Sequence, residues 1–277
     1  MTRKADIGEK LYIELLKRTL SGYVNQEMGM RLSYLLYCMD TSQPYSLPHL
    51  KNIAEYEAEK FQALINDPNG EDNYRERIFG FPATMIGRAR LDNIEMCVRA
   101  IHADGIDGDF METGVWRGGA TIFMRGMLKV LGDEEKKVWV ADSFQGLPEP
   151  EMKQDEGVNL HLDPMLAMEL DTVRRNFEYF DLLDDRVHFL KGWFADTMPN
   201  ADVEKLSLLR LDGDLYKSTM DVLEPMYDKV ESGGFIIIDD YGAIPACKQA
   251  VHDFRSELGI SDPINIVDWT GAYWRKS

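Results

Sequence analysis

From Asp109 onward, short apolar runs alternate with stretches of helical period, and this alternation constrains the fold more than any other feature. Asp109-Phe110-Met111-Glu112, Val138-Trp139-Val140-Ala141-Asp142, Val187-His188-Phe189-Leu190, Leu208 to Leu211 and Phe235 to Ile238 read as strands. Between and after them, helices are expected from Gly119 to Leu131, from Met165 to Tyr179 and from Pro245 to Glu257. Strands that alternate with helices build an α/β sandwich around a mainly parallel sheet. Ile264 to Val267 and Ala272 to Arg275 read as a closing hairpin, which adds an antiparallel edge and brings the expected sheet to seven strands. Before this region, residues 8 to 67 read as helices. Leu11, Ile13, Leu15, Leu16 and Leu20 are expected to share one apolar face. Asp40 to Pro48 reads as a turn-rich break, Asp67 to Gly70 as a turn and Arg88 to Ala103 as a helix. The expected division is a helical extension or lid over 1–87 and an α/β domain over 88–277.

Two of the strands end in clusters of acids. One run is Leu208-Leu209-Arg210-Leu211-Asp212-Gly213-Asp214, and the other is Gly233-Gly234-Phe235-Ile236-Ile237-Ile238-Asp239-Asp240-Tyr241. Ligands bind at the carboxyl ends of strands in an open parallel sheet. Neighbouring strands would bring Asp212, Asp239 and Asp240 together there. Such a cluster repels itself unless a hard cation such as Mg²⁺ neutralises it.

Charge excludes some partners. The formal net charge is −17, from 48 acidic and 31 basic residues. Phosphate backbones and anionic membrane surfaces both call for a surplus of Lys and Arg, so neither nucleic acid nor membrane is expected as a partner. Cys38, Cys97 and Cys247 are odd in number and far apart, which suggests neither a disulfide framework nor a zinc site. No apolar h-region follows Met1 to Asp6, and no apolar run is long enough to span a bilayer. A cytoplasmic protein is the expectation.

The first strand leads into Glu112-Thr113-Gly114-Val115-Trp116-Arg117-Gly118-Gly119. Its glycines permit a sharp turn and close approach to a ligand, but the spacing is not that of a dinucleotide site. The second strand ends in Asp142, followed by Ser143-Phe144-Gln145-Gly146-Leu147-Pro148. An acid there can accept hydrogen bonds from both hydroxyls of a ribose. Glu112 has a similar opportunity toward a cationic amino-acid group. A pair of solvated strand-end acids is the alternative.

Glu112 to Gly119, Val140 to Pro148, Leu211 to Lys217 and Ile238 to Tyr241 resemble the macrocin O-methyltransferase family. Leu11 to Leu20 fits the family's beginning, as do Thr84-Met85-Ile86-Gly87 and Arg90-Leu91-Asp92-Asn93. The resemblance implies a Rossmann-like class I methyltransferase fold, S-adenosylmethionine and Mg²⁺ as cofactors, and a homo-oligomer. It implies a hydroxyl of a sugar on a glycosylated natural product as the acceptor. By position, it makes Asp212, Asp239 and Asp240 metal ligands and Asp214 the general base. It puts Glu112, Gly114, Asp142 and Ser143 in the cofactor pocket, with Thr84, Met85 and Ile86 closing over it. Residues 149 to 164 offer no match and no period; loops there are candidates to cover the acceptor.

Methyl transfer from a sulfonium is an in-line displacement, so the protein mainly aligns and activates the acceptor oxygen. Other roles remain open for several residues. Asp214 could instead join the metal shell or cap the next helix. His252 reads as a surface or packing residue before it reads as a base, and His161 and His188 likewise. Trp116, Trp193 and Tyr241 could line the site or simply pack. Two competing functions are a catechol or caffeoyl-type O-methyltransferase and a binding protein that holds a nucleoside without turnover.

Overall fold

The computed structural model describes residues 7–72 and 82–277. The chain divides into two compact units between Leu91 and Asp92, slightly beyond the expected boundary.

The larger unit is a seven-stranded sheet: β1 (Asp109–Thr113), β2 (Val138–Asp142), β3 (Val187–Lys191), β4 (Leu206–Leu211), β5 (Val230–Ile238), β6 (Asn265–Ile266) and β7 (Ala272–Arg275). Their order across the sheet is β3-β2-β1-β4-β5-β7-β6. The first five pair in parallel, and β7 runs antiparallel to β5. This is the expected mainly parallel sheet with a closing hairpin. The central strands are apolar because both their faces are covered; every residue of β4 is buried. One core joins Met111, Leu209, Ile236 and Trp274 to Val222 and Val251 from helices Tyr216–Met226 and Pro245–Glu257.

Two expected boundaries move. β5 begins at Val230, not near Phe235. Glu231 to Gly234 lacks an apolar pattern, but the backbone continues pairing through a register shift opposite Leu206 to Leu208. The helix expected from Met165 begins at Leu170. Asp163 caps a single 3-10 turn at Pro164–Leu166, and the chain is extended again at Ala167 and Glu169.

The smaller unit is helical, as expected. Helix Ile7–Leu20 buries Ile13, Leu16 and Leu20, whereas Leu11 and Leu15 are 65% and 58% exposed. The five leucine and isoleucine positions span too much of the helix circumference to share one contact face. Met30, Ile53 and Leu64 form a small core with Tyr34 and Phe61. Pro48 belongs to the first turn of helix Leu47–Lys51, where a missing amide is harmless. Among the described residues, no helix is long and apolar enough to cross a membrane.

Candidate functional site

Register brings the key residues into one row. Thr113 pairs with Ala141 on one side and Leu211 on the other, and Leu211 pairs with Ile238. The ladder continues one residue further: Gly114, Asp212 and Asp239 donate their amides to Ala141, Thr113 and Leu211 at 2.9, 2.8 and 2.9 Å. Asp142, Gly114, Asp212 and Asp239 therefore stand side by side at the carboxyl edge. Gly114 is obligatory in that row. Its φ is +82°, and a Cβ there would lie 1.7 Å from the Asp212 carbonyl oxygen.

At the β2 end of the row, Asp142 is wrapped by the turn it supports. Its carboxylate accepts the amides of Val115 and Phe144 at 2.8 and 2.7 Å. Burial raises its pKa, against the pull of these amides and that of Trp116. Ser143 Oγ donates to the Gly146 carbonyl at 2.7 Å and holds the following loop. The Trp116 indole is buried and donates to the Met165 carbonyl at 2.8 Å, which gives it an anchoring role.

Glu112 does not stand at the surface of this edge. It is 1% exposed and accepts hydrogen bonds from Thr121 Oγ1 and Arg210 Nη1. Arg210 lies opposite it in the β1–β4 register. The guanidinium, itself 1% exposed, also bonds Asp212 at 3.0 Å and Asp239 through Nη2. One cation thus serves three acids from three strands. Burial opposes the charge on Arg210, but Asp239, Asp212 and Glu112 outweigh it and hold its pKa well above the ordinary value. Burial pushes Glu112 up to about 7, against Arg210 and Thr121, and Asp212 and Asp239 add to the rise.

On the other side, oxygens of Asp212, Asp214 and Asp240 lie within 4.8 Å of one another. Asp239, 4% exposed, directs one oxygen to Arg210 and is not part of that group. Asp214 has φ +59°, a left-handed conformation that Asp tolerates better than most residues. Its amide donates to Asp240 at 3.3 Å. Burial, then the charges of Asp212 and Asp239, push the Asp214 carboxyl up to about 8. Carboxylate oxygens that converge in this way suit a hard divalent cation such as Mg²⁺, which would reverse the local repulsion.

The remaining candidates are less central. Thr84 is buried in the smaller unit; its amide donates to the Leu20 carbonyl at 3.2 Å, and its Oγ1 accepts the Ile86 amide at 3.3 Å. Met85 is half-buried between them. His252 is exposed and its Nε2 lies 2.9 Å from the Tyr241 hydroxyl. His188 packs against Trp139, and Trp193 is 36% exposed. Arg210 and Thr121 are absent from the candidates that the sequence offers. The available signal was a lone arginine inside an apolar strand, two residues before an acid and so on the same face.

The chain matches the macrocin-O-methyltransferase family (TylF) over residues 9–276. It belongs to that family. The methyltransferase is 43% identical to a mycinamicin III 3''-O-methyltransferase of Micromonospora griseorubida, over 98% of each chain. It is 49% identical to a Streptomyces olivaceus 4'-O-methyltransferase of 8-demethyl-8-(2,3-dimethoxy-alpha-L-rhamnosyl)-tetracenomycin-C, over 79% of this chain and 87% of that one. Its structure is similar to that of the O-methyltransferase NovP, with a TM-score of 0.79, 38% identity and coverage of 97% and 99%. CalS11, a calicheamicin methyltransferase, has the same fold at 18% identity and a TM-score of 0.56. The enzyme is an O-methyltransferase, and the sequence resemblance is borne out at the level of family and fold.

Proposed function

We propose that this O-methyltransferase transfers the methyl group of S-adenosylmethionine to a hydroxyl of a sugar on a glycosylated natural product, with Mg²⁺ at the strand-end acids. The observation that carries the reading is the row at the carboxyl edge, where Asp142 and Gly114 lie beside Asp212, with Asp214 and Asp240 converging on it. The relatives that act on mycinamicin III and on a rhamnosyl tetracenomycin support the acceptor class.

The residues have distinct tasks. S-adenosylmethionine supplies an electrophilic methyl group when bound, and Mg²⁺ supplies positive charge that makes a neighbouring hydroxyl more acidic. Gly114 lets the turn after β1 lie directly against the Asp212 backbone, where a Cβ would meet the carbonyl oxygen. Asp142 accepts the amides of Val115, Phe144 and Trp116, and a carboxylate offers about four lone-pair sites, so it keeps capacity for about one ribose hydroxyl. Asp212, Asp239 and Asp240 are the proposed ligands, as the family resemblance implies. For Asp239 this requires the oxygen not bonded to Arg210. Asp214 is the proposed acceptor of the hydroxyl proton. Its raised pKa suits a base only once local negative charge is offset.

Production of S-adenosylhomocysteine and a methylated sugar from a panel of glycosylated macrolides, aminocoumarins and simple catechols tests the function. Turnover of catechols alone would reject the sugar acceptor. Asp142→Ala should weaken S-adenosylhomocysteine binding by about 1–3 kcal/mol. Asp142→Asn, which keeps one acceptor oxygen for the turn amides, should lose less. Unchanged affinity of the Ala variant in calorimetry would reject the ribose contact.

We also propose that the enzyme self-associates. Ile7, Leu11 and Leu15 recur every fourth residue on one exposed helix face, 75%, 65% and 58% accessible. An exposed apolar stripe of this kind suits contact with a second copy. Light scattering at micromolar concentration should give at least a dimer, and Leu11→Glu with Leu15→Glu should lower the mass. A monomeric wild type would refute the proposal.

A further inference from the structure

Helix Tyr216–Met226 starts two residues after Asp214, and its own cap position is apolar. Leu215 stands there in extended conformation and offers no side-chain acceptor. Such a start leaves the first amides of a helix without partners. Here they are met from far away in sequence. Tyr216 and Lys217 donate to the two carboxylate oxygens of Asp155 at 2.6 and 3.2 Å. Asp155 ends a short 3-10 turn, Lys153–Asp155, within the segment 149–164 whose loops are candidates to cover the acceptor. It is 0% exposed. A buried carboxylate is costly unless it is well bonded, and the end of a helix provides both amides and the favourable end of its dipole.

The consequence falls on the acid cluster. Asp212 is fixed by the hydrogen bond its amide donates to the Thr113 carbonyl, and the chain then turns through Gly213 and the left-handed Asp214 into the helix. That turn is held at one end by β4 and at the other by the helix start, which Asp155 clamps. Because Asp155 serves as the cap, Asp214 does not have to. The carboxylate of Asp214 stays with Asp212 and Asp240.

We propose that Asp155 is a positioning residue for the cation-binding acids, fixing the turn from Asp212 to Leu215 through the capped helix. The inference rests on the proposed cation site. It assigns a task to the connection after β2: one of its residues braces the far side of the same edge.

The test uses the full chain saturated with S-adenosylhomocysteine, with Mn²⁺ as the calorimetric probe. A lost cap is worth about 1 kcal/mol, so Asp155→Ala should weaken Mn²⁺ binding by up to about fivefold. Its affinity for S-adenosylhomocysteine should stay within about twofold of wild type. Asp155→Asn should restore part of the Mn²⁺ affinity, because its single amide oxygen can still accept from Tyr216 while its NH2 group cannot accept from Lys217. Hydrogen exchange should quicken in Asp155→Ala at residues 213–217 while β4 keeps its protection. Unchanged Mn²⁺ affinity in Asp155→Ala would overturn the proposal, as would equal loss of Mn²⁺ and S-adenosylhomocysteine binding. So would failure of Asp155→Asn to restore Mn²⁺ affinity. A wild type that binds no Mn²⁺ would instead remove the cation site. Exchange at residues 213–217 would then decide alone whether Asp155 fixes the turn.

Discussion

Asp214→Asn is expected to lower kcat by about 10²–10⁴-fold, the usual worth of a positioned general base. The substitution is mild structurally. Asn accepts the left-handed backbone at φ +59° as readily as Asp, so the turn should persist. It removes the proton acceptor and one negative charge. Excess Mg²⁺ should not restore turnover, whereas EDTA should abolish wild-type turnover and leave S-adenosylhomocysteine binding largely intact. Full activity in EDTA would sink the metal reading, and rescue of Asp214→Asn by Mg²⁺ would move Asp214 into the metal shell. The same residue gives a pH signature in metal-free protein. Its carboxyl is raised from 3.8 to about 8, so the folded state holds a proton that the unfolded chain has released. Stability should therefore fall as pH rises from about 4 to about 8. Glu112, raised to about 7, adds to the same slope. Asp214→Asn should flatten the slope in thermal melts, and Mg²⁺ should stabilise more at pH 8 than at pH 5.5. A wild-type melting temperature that rises across this window in EDTA would contradict the assignment.

The sheet was legible because each strand carries its own signal. Val138–Asp142 and Ala272–Arg275 are short apolar runs, and helices Gly119–Leu131 and Pro245–Glu257 have a glycine or proline at their ends. Within the site, the acids were readable for the same reason, since strand ends mark the ligand edge. What sequence hid is partnership. Arg210 interrupts an apolar run, and only the β1–β4 register reveals that Glu112 is its neighbour. Asp155 lies 61 residues from the amide it caps, in a segment without period. The fate of Asp239 is equally non-local. Its place after β5 was evident, but the Arg210 side chain arrives from β4. Leu11 and Leu15 fit the apolar pattern yet remain exposed, because a periodic pattern does not say which partner covers it.

Arg210→Ala should be among the most destabilising single changes in the α/β unit. It would strip Glu112 and Asp239, 1% and 4% exposed, of the cation they share and leave a cavity in β4. Removing one partner of a buried ion pair costs about 3–5 kcal/mol, because a charge stays buried without the counter-charge it had. At about 2–4 °C per kcal/mol for a chain of this size, the melting temperature should fall by roughly 6–20 °C. Arg210→Lys should recover part of the loss. An ammonium restores the charge, but one nitrogen cannot span three carboxylates as the guanidinium fork does. The loss should also depend on pH. Acid protonates Glu112, so Arg210→Ala should be less damaging near pH 5.5 than near pH 8. Mg²⁺ should compensate only in part, since a cation among the strand-end acids relieves Asp212 and Asp239 while Glu112 stays unpaired beneath them. Melting temperatures of Arg210→Ala and wild type that agree within about 2 °C at both pH values would show that the buried network carries little stability. Arg210 would then be retained for its orientation of Asp212 and Asp239, a role that Mn²⁺ affinity in the same variant would expose.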